Sequence, residues 1–369
     1  MPGGGAGRRR QGGARLERIA GALDWNEPDA LLAALRSAST GRPGWPALSM
    51  PKALLLAQWY GPSDPELEDA LADRLRFRRF VRLPLDGGVP DGTTRCRFRG
   101  ELARRRLTDR LLAAVDAPLV ACGLVPRRGM LIDASLVEAD ADLRKGPDGR
   151  PVTAEREAGF ATRRGKAFFG FKAHLAVDEG SGPVRRAILT PANVHESVVA
   201  DVLQIGDEAA VCAGKGCDSG ARHARLAGRA VFDGIMRRGH RHRPLTPDEV
   251  ARNRSLVPIR AGIERTYGTL KRRYGWVRVR YRGLASNAAH LDLLCLALNL
   301  RRLDVLTRRD GRGSPPRLRT ASWWPRAAGD RPAIPPGNHP GTVDRHSKTA
   351  FRRGLSECQP RRRVATDLG

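Results

Sequence analysis

A chain of 369 residues, 41% of them hydrophobic, is long enough for about two domains and a sizeable core. Its formal net charge of +27 and isoelectric point near 11.3 call for a polyanionic partner, most commonly DNA or RNA, without saying what is done to it. No apolar run approaches the roughly 20 residues of a membrane helix, and the basic start MPGGGAGRRRQGG has no apolar segment behind it, so the composition predicts a cytoplasmic protein with no secretory signal.

In chain order, residues 1–15 form a Gly/Arg-rich basic start, expected to be disordered, and helical periodicity begins near Leu16. Residues 28–38 and 51–60 read as helices. Residues 64–81 open with Asp64, Glu66 and Glu68, acids that suit the positive end of a helix dipole. Residues 92–120 carry Arg95, Arg97, Arg99, Arg104, Arg105 and Arg106 among apolar side chains. A helical section over 16–125 with a late basic helix suits a helix-turn-helix-like DNA reader or, equally, a packing or dimerisation unit.

The character changes at Gly129. Met130 to Ala134 is a short apolar run ending in an acid, Asp133, and reads as a buried strand. Residues 140–166 are polar and Gly/Pro-bearing and read as a loop. Strands are expected at Phe168 to Val177, Val184 to Leu189, Ala209 to Ala213 and Val231 to Met236. Helices are expected over His195 to Ile205, from Asp218 or Ser219, over Arg260 to Tyr274 and over Asn287 to Leu303. This succession makes residues 129–304 an α/β domain. Residues 305–369 are rich in Pro, Gly and Arg without a helix or strand period, and a disordered tail is expected. The six cysteines, at 96, 122, 212, 217, 295 and 358, lack metal-site spacing and read as reduced thiols.

Asp133 and Glu264 are the acids that draw notice. An acid in an apolar strand is costly unless it meets a cation or water, although a strand-ending turn residue is the plainer local reading. Glu264 shares a helix face with Arg260 and Lys271, four and seven residues away, and an exposed Arg–Glu pair would explain that spacing without function. Phosphodiester cleavage assisted by two divalent ions needs carboxylates gathered from distant elements.

The ordered motifs LIDASLVEAD, KAFFGFKAHLAVDEGSG, TPANVHES, AGKGCDS and RAGIERTYGTLKRRYG resemble the DDE transposases of bacterial insertion sequences, in particular the insertion-sequence-five (IS-four-like) group. The resemblance covers roughly residues 16–303 and takes in LRSASTGRPG, QWYGPSDPELEDALADRLRFRRF and GVPDGTT. It implies an RNase H-like catalytic domain over 129–304 behind a helical DNA-binding domain over 16–125. It implies metal-dependent DNA cleavage and strand transfer with Mg2+ or Mn2+. The partners implied are terminal-repeat and target DNA, bound by a homo-oligomer in the bacterial nucleoid. Asp133 matches the family's first acid and Glu264 its last, both as catalytic metal ligands. Arg260 and Lys271 match the basic residues around that last acid and are expected to bind DNA as phosphate or strand-positioning groups, while Val257 stands where a tyrosine is usual. The middle Asp falls in a motif that usually reads Ala-Asp-Lys-Gly-Tyr. Here the motif is Ala213-Gly214-Lys215-Gly216-Cys217, so glycine replaces the middle carboxylate and impaired cutting is expected. Asp218, four residues on, is a candidate catalytic stand-in, although capping the next helix is its plainer role. Asp207 is a weaker candidate.

Lys172 and His174 share a strand face; phosphate contact by Lys172 and a structural role are both open. His195-Glu196 matches a family motif and also suits a helix start. Arg272, Arg273 and Trp276 lie in a basic stretch where an aromatic ring could stack on an unpaired base or sit in the core. The run Arg237 to Arg243 could touch phosphate or remain a solvated loop.

Overall fold

The computed structural model describes residues 10–33, 35, 44–121, 125, 127–139, 144–145, 151–152, 155–163 and 165–306. Cys122, Cys358 and the tail from residue 307 lie outside them, as do residues 1–9 of the basic start; the four described cysteines, 96, 212, 217 and 295, are free thiols.

Seven helices precede the first strand of the described chain: α1 (Arg10–Ala22), α2 (Asn26–Ala33), α3 (Ser49–Tyr60), α4 (Asp64–Asp73), α5 (Leu75–Val81), α6 (Gly92–Arg104) and α7 (Leu107–Ala121). Helix α1 starts inside the stretch expected to be disordered. The single helices expected over 64–81 and 92–120 are each two. At Arg74 the backbone is extended (φ −99°, ψ 100°), which ends α4 and starts α5. Arg106, at φ 51°, turns the chain between α6 and α7. Helix α4 begins with a capping box in which Ser63 and Glu66 bond each other's backbone N–H groups. Helix α3 is buried almost all round, with Leu54, Leu55 and Leu56 inaccessible to solvent. Burying a leucine contributes about 1.5–3 kcal/mol, so this helix is a main anchor of the section. Lys52 is buried with it, its ammonium 4.2 Å from the Trp25 ring centroid, and burial lowers its pKa to about 8.

The sheet strands are β1 (Met130–Glu138), β4 (Gly159–Arg163), β5 (Lys166–Asp178), β6 (Val184–Pro191), β7 (Ala210–Ala213) and β8 (Phe232–Ile235), while β2 (Arg144–Lys145) and β3 (Pro151–Val152) form a separate two-stranded ladder. The order is β4-β5-β1-β7-β8, with β6 also paired to β5. Strand β5 is antiparallel to β1, β4 and β6, whereas β1, β7 and β8 are parallel. Three antiparallel strands continued by two parallel ones fit the RNase H-like arrangement. Every residue of β7 is buried, as a central parallel strand requires.

The stretch 140–166 expected as a loop contains β4, which forms a hairpin with the start of β5. Gly165, at φ 76°, sits in the turn, and the Phe160 and Phe169 rings meet across the strands at 4.7 Å. A five-residue strand is too short to announce its period, and the aromatic pair forms only after the turn closes.

Past the sheet, α8 (Glu196–Val199) is one turn where a helix to Ile205 was expected, and α9 (Gly220–Gly228) connects β7 to β8. Helix α10 (Pro247–Arg273) starts 13 residues before the expected Arg260. Thr246 and Glu249 form a capping box at its start, and Pro258 lies inside it. A proline inside a helix removes one backbone hydrogen bond and crowds the carbonyl four residues back, yet α10 continues through it. Helix α11 (Leu284–Leu306) packs on α1, α3, α6 and α7 and on β6. Trp59 of α3 donates its indole N–H to the Ala297 carbonyl at 2.9 Å, and Asn299 pairs with both backbone groups of Val184. The N-terminal helices and the sheet therefore share one core. Among the described residues no helix is long and apolar enough to cross a membrane.

Candidate active site

Helix α10 lies across β1 with one face, residues 260, 264, 267 and 271, spaced by successive turns. A Cβ on Gly262 would stand 2.9 Å from the Leu131 side chain, so the missing side chain permits the close approach. Three contacts set the register along the strand. The Arg260 guanidinium meets the Asp133 carboxylate at 3.3 Å. The Tyr267 hydroxyl lies 2.7 Å from the Asp133 carbonyl and 3.1 Å from that of Ala173, and is placed to donate to either. Lys271 donates to the Leu136 carbonyl at 3.1 Å. Tyr267 and Lys271 thus hold the backbone around Asp133, a role for Tyr267 that sequence reasoning missed. Its only signal was its position three residues after Glu264.

Asp133 is partly buried in β1, between Leu175 of β5 on one side and the end of β7 on the other. Burial raises its pKa, the Arg260 cation pulls it back, and the nearby Glu264 charge raises it further. Glu264 itself is exposed.

Glu196 at the start of α8 also reaches this site. Its carboxylate oxygen lies 2.8 Å from where a Cβ on Gly216 would project, in the 3-10 turn Lys215–Cys217 that follows β7. Burial raises its pKa, Asp133 raises it further, and Lys172 lowers it. Lys172 in turn has a pKa lowered by burial and donates to the Val194 carbonyl at 2.8 Å. Asp133, Glu196, Glu264, Lys172 and Arg260 form one electrostatic cluster. The Glu196 signal was present in His195-Glu196, but a helix start explained it without a site. His195 does cap α8, its ring accepting from the Ser197 N–H.

At the end of β7 the expected third acid is Gly214. A Cβ there would stand 3.1 Å from Arg260 Nη2 and 3.4 Å from Cζ. The guanidinium thus lies against the position from which a carboxylate side chain would have grown.

The other candidates go elsewhere. Asp218 does not cap α9, whose N-cap is Ser219; its carboxylate accepts from His223 Nε2 at 2.6 Å and from the Arg238 N–H at 2.6 Å. His223 Nδ1 faces Asp233 at 2.7 Å, and Arg237 bridges toward both acids. The oxygens of Asp218, expected as a stand-in catalytic acid, thus meet α9 and the loop after β8. Asp207 is bound by Arg185 and Arg127. His174 is buried against Thr190, with burial lowering its pKa to about 3, and stays neutral. Trp276 is 1% exposed, so its assignment to DNA stacking is corrected to a core role: the ring cannot meet a base without opening the core. Arg272 and Arg273 are exposed at the end of α10.

Basic residues of the N-terminal section divide in the same manner. Arg95 is fully buried and donates to the Pro90 and Asp64 carbonyls. Arg99 pairs with Asp64 at 3.0 Å and lies over the Tyr281 ring. Arg74, Arg76, Arg79 and Arg82 around α5 are exposed, as is Arg97.

A mixed sheet carrying an acid on its first strand, with a basic and acidic helix laid across that strand, fits a domain with an RNase H-like core. Residues 126–300 match the family model described as transposase DDE domain, and residues 6–101 match that described as transposase domain (DUF772). Residues 126–300 are thus similar to a transposase DDE domain, and residues 6–101 to a second transposase domain. A solved structure, the cryo-EM structure of piggyBac transposase synaptic complex with hairpin DNA, is similar at 10% identity over 77% of this chain and 73% of that one, with a TM-score of 0.34.

DDE domains generally use divalent metal ions. The residues present here do not fit one: among the described residues no group of three His, Cys, Asp or Glu side chains is placed to hold a metal ion, and a guanidinium faces Asp133 instead.

Proposed function

We propose that this chain is a transposase that binds the terminal repeats of an insertion sequence, as a homo-oligomer on DNA, with impaired strand cutting and strand transfer. The observation that carries the reading is the meeting of β1, β7 and α10 at Asp133, Gly214 and Arg260, where the scaffold of a DDE site persists and one carboxylate does not. The net charge of +27 and the exposed arginines of α5 supply the phosphate contacts, with Arg272 and Arg273 offering more at the end of α10. Arg260, Lys271 and Lys172 are each engaged by protein groups, so their contribution to DNA is to hold the site's shape and field.

A gel shift with end-sequence DNA, run beside a nicking assay in Mg2+ and in Mn2+, tests this. Retarded DNA with nicking near background is the expected result. Robust nicking would remove the impairment, and failure to shift DNA at low salt would remove the binding function. A second reading, a protein that only occupies element ends, is favoured by the same Arg260–Gly214 contact, and complete absence of nicking selects it.

A further inference from the structure

The Arg260 side chain makes an unusual set of contacts for a strand-positioning residue. Its Nη2 faces Asp133 Oδ1 at 3.3 Å, and its Nη1 reaches the Met236 sulfur at 3.3 Å. Its Nε is buried and has no hydrogen-bond partner among the described residues. Gly214 lies directly beneath, and even one added carbon would press on the guanidinium at 3.1 Å.

We propose that Arg260 is a resident cation of this site, which uses the space at Gly214 to neutralise Asp133 and thereby keeps divalent ions out, and that an acid restored at 214 alone is captured by Arg260 rather than offered to a metal. A guanidinium is charged at every working pH and presents five donors in a planar fork. One donor already serves Asp133, and Nη2 and Nη1 are the guanidinium nitrogens that border the space at Gly214, so an acid grown there meets the same fork. Two acids clamped on one arginine gain charge-assisted hydrogen bonds, while a divalent ion brought beside the same group meets like-charge repulsion.

This inference rests on reading Gly214 as the place of the lost carboxylate. The test uses the full chain without DNA. Mn2+ binding is followed by electron paramagnetic resonance of the free ion for wild type, G214D, R260Q, G214D/R260Q and G214N/R260Q, with a thermal melt confirming that each is folded. R260M, which keeps an apolar stem in the same space, replaces R260Q if the glutamine variants do not melt cooperatively. Wild type and G214D should bind Mn2+ within a few-fold of each other. G214D/R260Q should bind more tightly than G214D by more than the roughly 10–100-fold that an outer-shell partner typically supplies. G214N/R260Q, which has the same shape without the charge, should not. A gain by G214D alone equal to that of the double variant would overturn the role of Arg260 while upholding the position of the acid. A folded G214D/R260Q no better than its asparagine counterpart would overturn both. Neither result bears on the gel shift, which tests DNA binding separately.

Discussion

The two sides of the site have been built to different standards. Along the β1–α10 seam the structure is closely determined: Gly262 admits Leu131, Tyr267 reaches two carbonyls, Lys271 reaches a third, and Trp276 is buried just past the end of the helix. At the β7 end Gly214 and Gly216 lie against the cluster, and the side chains next to them, Arg260 and Glu196, come from other elements. The contrast teaches that packing along the seam and the charges at the β7 end are set by different elements. The seam is held by core packing and backbone hydrogen bonds, which a missing carboxylate does not disturb.

The largest effect should come from undercutting the seam. Trp276→Ala is expected to cost about 3–5 kcal/mol in a urea melt, because it removes a fully buried aromatic side chain. A change below about 1 kcal/mol would show that the seam is less closely packed than its contacts imply.

Next in size is a pH effect at the far end of the same strand pair, where Asp178 of β5 lies opposite Met130 of β1. Burial raises the Asp178 pKa to about 7, with the Ser181 hydroxyl bonding it and opposing that rise. A carboxyl raised on folding contributes stability that is complete below its unfolded value near 4 and is lost as pH rises through about 7. D178N should therefore gain on wild type progressively between pH 4 and 7, with no further gain above about pH 8, as read by melting temperature. A gap independent of pH would sink the assignment.

Gly262→Val drives a branched side chain into Leu131 and should cost about 1–3 kcal/mol. Tyr267→Phe removes the hydroxyl that holds the Asp133 and Ala173 carbonyls and should cost about 0.5–1.5 kcal/mol, measured in the same denaturant series. The smallest change belongs to the β7 end: Gly214→Ala asks Arg260 to yield by a few tenths of an ångström and should shift stability by no more than about 0.5 kcal/mol. If Gly214→Ala proved as damaging as Gly262→Val, the contrast between the two sides would collapse.

Much of the fold could be read along the chain because its signals are local. The apolar run at Met130 and the acids Asp64 and Glu66 in the first turn of α4 each act within a few residues. What escaped was whatever closes across distance or breaks a local rule. Strand β4 depends on a hairpin and one aromatic pair, and α10 runs through a proline that local reasoning takes as an end. Among the site residues, Trp276 and Asp218 show the same limit: a basic stretch cannot tell whether its tryptophan points inward, and an acid before a helix cannot tell whether it caps that helix or binds a histidine on it.

By itself, the order of residues determined the mixed α/β class, the spacing of acid and base on one helix face, and the glycine where an acid is usual. Only the tertiary structure decided which charges meet: that Arg260 turns onto Asp133 beside Gly214, that Glu196 joins them, and that Asp218 and Asp207 do not. The reason is physical. Periodicity and capping depend on neighbours in sequence, whereas a carboxylate's partner is set by distance and desolvation, and both exist only after β1, β7 and α10 have packed together.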